Sequence, residues 1–463
     1  MKNYSLNPTA ENVIDMFRSD AIGRNKEIIR FINLLDAIDN DDPCSIALNG
    51  AWGSGKTFFV KQIKMILDCS NPLSDMGGEE RAAVKTALPS LEDKSSGSYA
   101  TVYYDAWAND NSEDPILSLV YAVIKDNQVN IKQEKKTDLG KTVAAIAEVV
   151  TGRNISNLVD KIKGEDLFEA IKNEEDIRQL IKEFIDNLIE ERANQVVIFI
   201  DELDRCKPTY AIQLLERIKH YFNDDRVIFV FSVNLAQLQH TVKGYYGAEF
   251  DATRYLDKFF DLRVSLPEID YDTYLNNRFD FIQSSNIHNI VCIETIKYFN
   301  LSLREIERYI RLIKIATYQQ ANAIVRPGNR SASAYNFALM YIAPIMIGLS
   351  LTDIKAYNRF ISGVDSGSLC AILLNPEINL EYERTRILAT NECFSEEERN
   401  SDSDIVIPIE DRLREIYNAL LSERFGQSNY HKIIGQMEFS IKTRAEINRV
   451  VSLLSTVSDY NFE

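Results

Sequence analysis

The chain has 463 residues, 45% of them hydrophobic, enough to bury a sizeable core and to divide into about two or three domains. Its formal charge of -17 and pI near 4.9 disfavour non-specific attachment to nucleic acid or to an anionic membrane, both of which need Lys and Arg against phosphate. Six cysteines (Cys44, Cys69, Cys206, Cys292, Cys370, Cys393) without CxxC pairing, and only four histidines, argue against a disulfide framework or a zinc site and fit a reducing, cytoplasmic compartment.

Met1 to Pro8 lacks the apolar stretch of a secretory signal. Helical spacing of Val13 and Phe17, then of Ile28, Ile29, Ile32, Leu35 and Ile38, predicts two helices interrupted at Ile22-Gly23-Arg24. Ser45-Ile46-Ala47-Leu48 reads as a first strand, and Phe58-Phe59-Val60-Lys61-Gln62-Ile63 opens a helix reaching about Cys69. Ser70 to Gly97 is polar and reads as loop. A second strand spans Tyr99 to Tyr104, closed by Asp105-Ala106-Trp107 and followed by a helix carrying Ile116, Leu119, Val120 and Val123. Residues 108–194 form a charged helical insertion whose apolar patch runs from Val143 to Val150.

Gln195 to Ile200 and Arg226 to Val233 are unbroken apolar strands ending in Asp201 and Asn234, the pattern of parallel strands covered on both faces. Strands alternating with helices imply a layered α/β core over residues 1–267. After Pro267 the pattern is entirely helical. Residues 268–330 read as a helical lid with an amphipathic run from Leu301 to Ile315, Pro327-Gly328-Asn329 as a break, and 331–463 as a C-terminal helical domain. Phe337 to Leu351 is apolar but interrupted by Pro344, Gly348 and Ser350, so it reads as a buried core helix and no membrane segment is expected. Ser395 to Asp404 reads as a solvated acidic loop.

Between the first strand and its helix, Gly50-Ala51-Trp52-Gly53-Ser54-Gly55-Lys56-Thr57 matches Gly-x-x-x-x-Gly-Lys-Thr. Glycines allow a tight turn whose backbone N–H groups point at the phosphates of a nucleoside triphosphate, and the helix adds about half a positive charge. Gly50 to Phe58 are therefore candidate nucleotide-binding residues, with Lys56 reaching the β/γ oxygens and Thr57 ligating Mg2+. A glycine-rich turn with a chance lysine is the bland alternative; the flanking strand and helix weigh against it. Val196-Val197-Ile198-Phe199-Ile200 delivers Asp201 as a second Mg2+ group and Glu202 as the carboxylate that orients the attacking water. Asn234 lies at the same sheet edge, either sensing the γ-phosphate or capping the next helix. Cys206 is open to a redox or a packing reading, and Trp52 to shielding the phosphates or packing the loop.

The run from Val196 through Leu203-Asp204-Arg205-Cys206-Lys207-Pro208 resembles the KAP family of P-loop NTPases, as do Tyr103-Tyr104-Asp105-Ala106-Trp107, Tyr255-Leu256-Asp257-Lys258-Phe259-Phe260 and the ending Leu266-Pro267. The resemblance covers about Ile22 to Ile315. It implies a three-layer αβα core with a parallel sheet, AAA+-like, in the branch with a catalytic glutamate and an additional central strand. Relatives commonly insert transmembrane helices ahead of the acidic strand, whereas the insertion here is charged and apolar only in short pieces. Among relatives, bacterial ones resemble components of anti-phage defence and animal ones membrane-linked signalling scaffolds. Arg304, in Asn300-Leu301-Ser302-Leu303-Arg304, resembles the arginine that opens a lid helix, although Ser302-Leu303 stands where relatives often have Asn-Pro. Arg254 resembles a finger acting on a neighbouring copy, with a surface ion pair equally open, and Arg205 anchors the turn after the acidic strand. Gly23-Arg24 resembles an element on the adenine side.

The combined expectation is Mg2+-dependent ATP binding and hydrolysis that drives a conformational or assembly switch, with a homo-oligomer or protein partners engaged through the helical regions. A slowly hydrolysing signalling scaffold and a nucleic-acid-directed ATPase are the other classes. Net charge opposes direct nucleic-acid binding unless an assembly builds a positive channel. ATP is expected over GTP because no Asn/Thr-Lys-x-Asp motif follows the acidic strand.

Overall fold

A computed structural model describes residues 7–38, 43–89, 98–112, 114–126, 182, 185–186, 188–190, 192–222, 224–278, 287–317, 330–375, 393–395, 408–422 and 431–440. The apolar patch expected at Val143 to Val150, the break at Pro327 to Asn329 and residues 396–404 of the acidic stretch lie outside these. Contacts divide the chain into two compact units, Lys2–Arg278 and Phe279–Glu463.

In the first unit, helices α1 (Ala10–Ser19) and α2 (Asn25–Asp36) precede β1 (Cys44–Asn49) and α3 (Lys56–Ser70). Next come α4 (Gly78–Ala87), β2 (Tyr99–Asp105), α5 (Pro115–Asp126) and β3 (Gln195–Asp201). A 3-10 turn, Leu203–Arg205, leads to α6 (Pro208–Tyr221), β4 (Val227–Val233) and α7 (Leu235–Tyr246). The unit ends with α8 (Ala252–Leu256), β5 (Leu262–Ser265) and α9 (Tyr271–Arg278).

All five strands are parallel, in the order β2-β3-β4-β1-β5. β4 therefore separates the strand that feeds the glycine loop from the strand that ends in Asp201, and is the additional central strand that the family resemblance implies. Every residue of β3 and β4 is buried, as unbroken apolar runs between two helical layers require. Alternation splits the side chains. Val196, Ile198 and Ile200 join Val227, Phe229 and Phe231 in one core with residues of α5, α6 and α7. Asp201 lies on the opposite face, where it meets α3.

The stretch expected to be loop from Ser70 to Gly97 contains α4, which is a correction. Only Val84 and Ala87 of that helix are buried, so its apolar stripe is too thin to read locally. Tertiary contact supplies the rest: the Arg81 guanidinium donates to the carbonyls of Asp68, Cys69 and Asn71 at the C-terminus of α3, where a cation also suits the helix dipole.

The second unit contains α10 (Ile287–Tyr298), α11 (Leu303–Thr317) and α12 (Arg330–Phe337), which continues through a π turn (Ala338–Ile342) into α13 (Ala343–Thr352). It also holds α14 (Ile354–Ile361), α15 (Gly367–Leu373) and α16 (Ile409–Tyr417). The described part of the expected lid beyond residue 278 shares this unit with the C-terminal helices. An antiparallel hairpin, β6 (His431–Ile434) with β7 (Met437–Ser440), departs from the all-helical expectation. Gly435 turns it at φ 57, and period-two burial of Met437 and Phe439 was the signal for it. Ala334–Thr352 is long and apolar enough to cross a membrane, yet 72% of its apolar 18-residue window is buried, consistent with a core helix.

Candidate functional site

The glycine loop leaves β1 and turns into α3 with Gly53 at φ 77 and Gly55 at φ 91, a left-handed backbone that side chains with a Cβ rarely adopt. The loop closes on itself: Ser54 donates to the Ala51 carbonyl through N–H (3.3 Å) and Oγ (2.7 Å). Gly50 N donates to Val233 O at 3.1 Å, tying the loop to the end of β4. Ala51 and Trp52 are exposed, whereas the Phe58 side chain is buried in the core, leaving only its backbone amide to face a ligand.

Lys56 lies back over the loop, donating from Nζ to Gly50 O (2.8 Å) and Ala51 O (3.2 Å). Burial pulls its pKa down, while Asp204, Asp201 and Glu202 push it up. Thr57 Oγ1 donates to Asp201 Oδ2 at 2.6 Å, so the first turn of α3 and the end of β3 meet across the intervening strand. The fully buried Asp201 also accepts from the Tyr103 hydroxyl of β2 at 3.0 Å. That hydroxyl is raised well above its ordinary pKa by burial and by the Asp201 charge, and stays a donor.

Glu202 follows in left-handed backbone, φ 61 and ψ 23. Its carboxyl pKa is raised by burial and by neighbouring Asp201, against the opposing pull of Arg205, with which it forms an ion pair. Asp204 is buried. One of its oxygens accepts from Trp52 Nε1 at 2.6 Å, and the other, Oδ1, has no partner among the described residues. Ser232 on β4 is in register with Asp201, and its buried hydroxyl likewise lacks a partner. Asn234 caps α7, its side chain accepting from Gln237 N at 3.3 Å, while Asn49 Oδ1 accepts from Leu235 N at 3.0 Å.

Arg24 is 3% exposed, and its guanidinium is lowered to about 10 by burial. It donates to Ser54 O at 2.9 Å and to Pro267 O, so it holds the loop from beneath. Gly23, at φ 73, packs within 3.1 Å of Asp270 measured from an added Cβ. Arg254 is an exposed residue of α8, and Arg304 an exposed residue of α11 in the other unit.

The fold thus brings together Gly50 to Thr57, Asp201, Glu202 and, through the loop, Arg24. Asp204, Tyr103 and Ser232 join them without having been singled out. Tyr103 and Asp204 lie within the family-like runs, and Ser232 had no signal beyond its place two residues before Asn234. Three carboxylates (Asp201, Glu202, Asp204) stand beside two cations (Lys56, Arg205), and two buried oxygens are unpaired. No cluster of three or more His, Cys, Asp or Glu able to hold a metal alone occurs among the described residues. Mg2+ binds through one or two protein oxygens plus phosphate and water, and the hard donors Thr57 and Asp201 fit that demand.

Residues 24–319 match the model of a family described as the KAP family P-loop domain. The solved structure of the Aeropyrum pernix ORC2 protein in ADPNP-ADP complexes is 13% identical, with 93% of this chain and 86% of that chain covered and a TM-score of 0.32, too low to carry any argument. Among curated proteins there is no significant match.

Proposed function

Because the chain belongs to the KAP family of P-loop NTPases, we propose that it binds ATP with Mg2+ at the glycine loop and hydrolyses it, turnover driving a conformational or assembly switch. The observation that carries this reading is the 2.6 Å contact between Thr57 and Asp201, which brings the residue after the loop lysine to the acidic end of β3. Backbone amides of the loop and the start of α3 receive the phosphates, and Lys56 trades its two carbonyl partners for phosphate oxygens. Thr57 and Asp201 would hold Mg2+, which when bound neutralises charge on the transferred phosphoryl group. Glu202, beside Asp201 and partly shielded from solvent, orients the attacking water.

Calorimetric titration with Mg·ATP together with phosphate release tests this. The wild type should give heat and turnover, Lys56→Ala neither, and Glu202→Gln heat without turnover. No heat with the wild type overturns the reading, and unimpaired turnover in the Gln variant removes Glu202 from its role. Heat with no turnover above that of the Gln variant identifies a nucleotide-dependent scaffold instead.

Assembly into a homo-oligomer is part of the proposal, with exposed Arg254 offered to a neighbouring copy; Arg304, which resembles a lid arginine, is likewise exposed. Sedimentation with a non-hydrolysable ATP analogue should show a larger species than without it; identical profiles would remove the oligomer. A setting in anti-phage defence rests on family resemblance alone, and loss of protection against phage on Lys56→Ala substitution in the host is its test.

A further inference from the structure

Both tryptophans of the chain, Trp52 and Trp107, lie at this site, half-exposed at 46% and 52%. Both lie within cation–π reach of one guanidinium: the Arg205 carbon is 5.7 Å from the Trp52 ring centre and 5.5 Å from that of Trp107. Two large aromatic rings against one planar guanidinium form a slot that limits how it can turn. The slot's two walls come from different elements. Trp52 belongs to the glycine loop and is fixed by its 2.6 Å bond to Asp204, and Trp107 follows β2. There Arg205 Nε makes an ion pair with Glu202 Oε2 by proximity, without hydrogen-bond alignment.

Resting on the hydrolase reading above, we propose that Arg205 is a positioning residue for Glu202: the tryptophan slot aims its guanidinium, which holds one carboxylate oxygen and leaves the other for water. Glu202 needs such a guide. Its left-handed backbone fixes where the side chain starts, but three side-chain torsions remain free, and the charge contact with the Arg205 guanidinium narrows that freedom.

Tryptophan emission reads the slot directly, since no other tryptophan contributes. Emission spectra of the full chain are recorded for wild type, Glu202→Gln, Arg205→Met and the double variant, without nucleotide and with saturating Mg·ATP, alongside kcat and the calorimetric Kd. Glu202→Gln should change the nucleotide-free emission when Arg205 is present and leave it unchanged when Met replaces it. Arg205→Met should lower kcat about tenfold or more with the Kd for Mg·ATP within about threefold, and Arg205→Lys should recover part of kcat. The proposal is overturned if the emission change on Glu202→Gln persists in the Met background, or if Kd weakens in step with kcat, which would make Arg205 a phosphate ligand. Absence of heat from Mg·ATP in the wild type would instead strike the hydrolase reading, while the nucleotide-free emission cycle still decides the Arg205–Glu202 coupling.

Discussion

Tyr103→Phe isolates one hydroxyl at the centre of the site. In the wild type Asp201, fully buried, accepts from Thr57 Oγ1 at 2.6 Å and from the Tyr103 hydroxyl at 3.0 Å. Deleting the second donor leaves the ring in place, including its contact with Lys61 Nζ at 4.5 Å, but removes a hydrogen bond to a charged acceptor. Such bonds contribute about 1.5–3 kcal/mol. Tyr103 is only partly buried, so the lower part of the range applies, about 1.5–2 kcal/mol. For a unit of this size that is about 2–6 °C in Tm without nucleotide. With Mg·ATP the carboxylate gains a cationic partner and depends less on the hydroxyl, so the deficit should shrink by about half or more, a direction set by linkage. Urea unfolding of both proteins, with and without a saturating non-hydrolysable Mg·ATP analogue, measures it. A loss below about 0.5 kcal/mol without nucleotide, or one that does not change with it, would refute the reasoning that Tyr103 stands in for part of the charge compensation Asp201 receives from metal.

Asn234→Asp keeps an oxygen to cap α7 but removes the amide donor, so the melting temperature should stay within about 2 °C while kcat falls about tenfold; an unaltered kcat would leave Asn234 as a cap alone. Gly348→Ala places a Cβ 2.6 Å from Thr295 Cγ2 and 2.7 Å from the Phe299 ring, an overpacking cost of about 1–3 kcal/mol that urea unfolding should detect. At Cys206, burial and then the carboxylates of Asp110, Asp105, Asp204 and Glu202 push the thiol pKa up, so its thiolate fraction at pH 8 is below that of an ordinary cysteine. Iodoacetamide should therefore label it about tenfold or more slower in the native chain than in urea, the gap closing only as pH rises far above 9. Equal rates would revive a redox role.

The chemistry of the site was legible because it is carried by short contiguous runs. Gly50 to Thr57 and Val196 to Glu202 each combine an apolar strand with the residues at its end, so a local reading captures both the element and its cargo. Asn234 was legible only as two alternatives; its capping bond to Gln237 is visible in the structure, and its reach toward phosphate awaits the Asp variant. Gly23-Arg24 read as an adenine-side element, and the structure adds that the Arg24 guanidinium donates to the Ser54 and Pro267 carbonyls. The thin apolar stripe of α4 and the short hairpin β6–β7 escaped because each leans on other elements, α4 on α1 and the end of α3, and β7 on α12, contacts that no local pattern shows.

By itself, then, the amino-acid order determined that a phosphate loop, a covered parallel sheet and an acidic pair exist, since backbone conformation at glycine and periodic burial are local properties. Tertiary structure alone decided which groups meet. Thr57 and Asp201 are 144 residues apart and Tyr103 and Asp201 are 98 apart, and only the parallel register of β2, β3, β4 and β1 sets their strand ends side by side. The grip of Trp52 and Trp107 on Arg205 has the same origin, because contacts across a sheet leave no period in the chain for a local pattern to reveal.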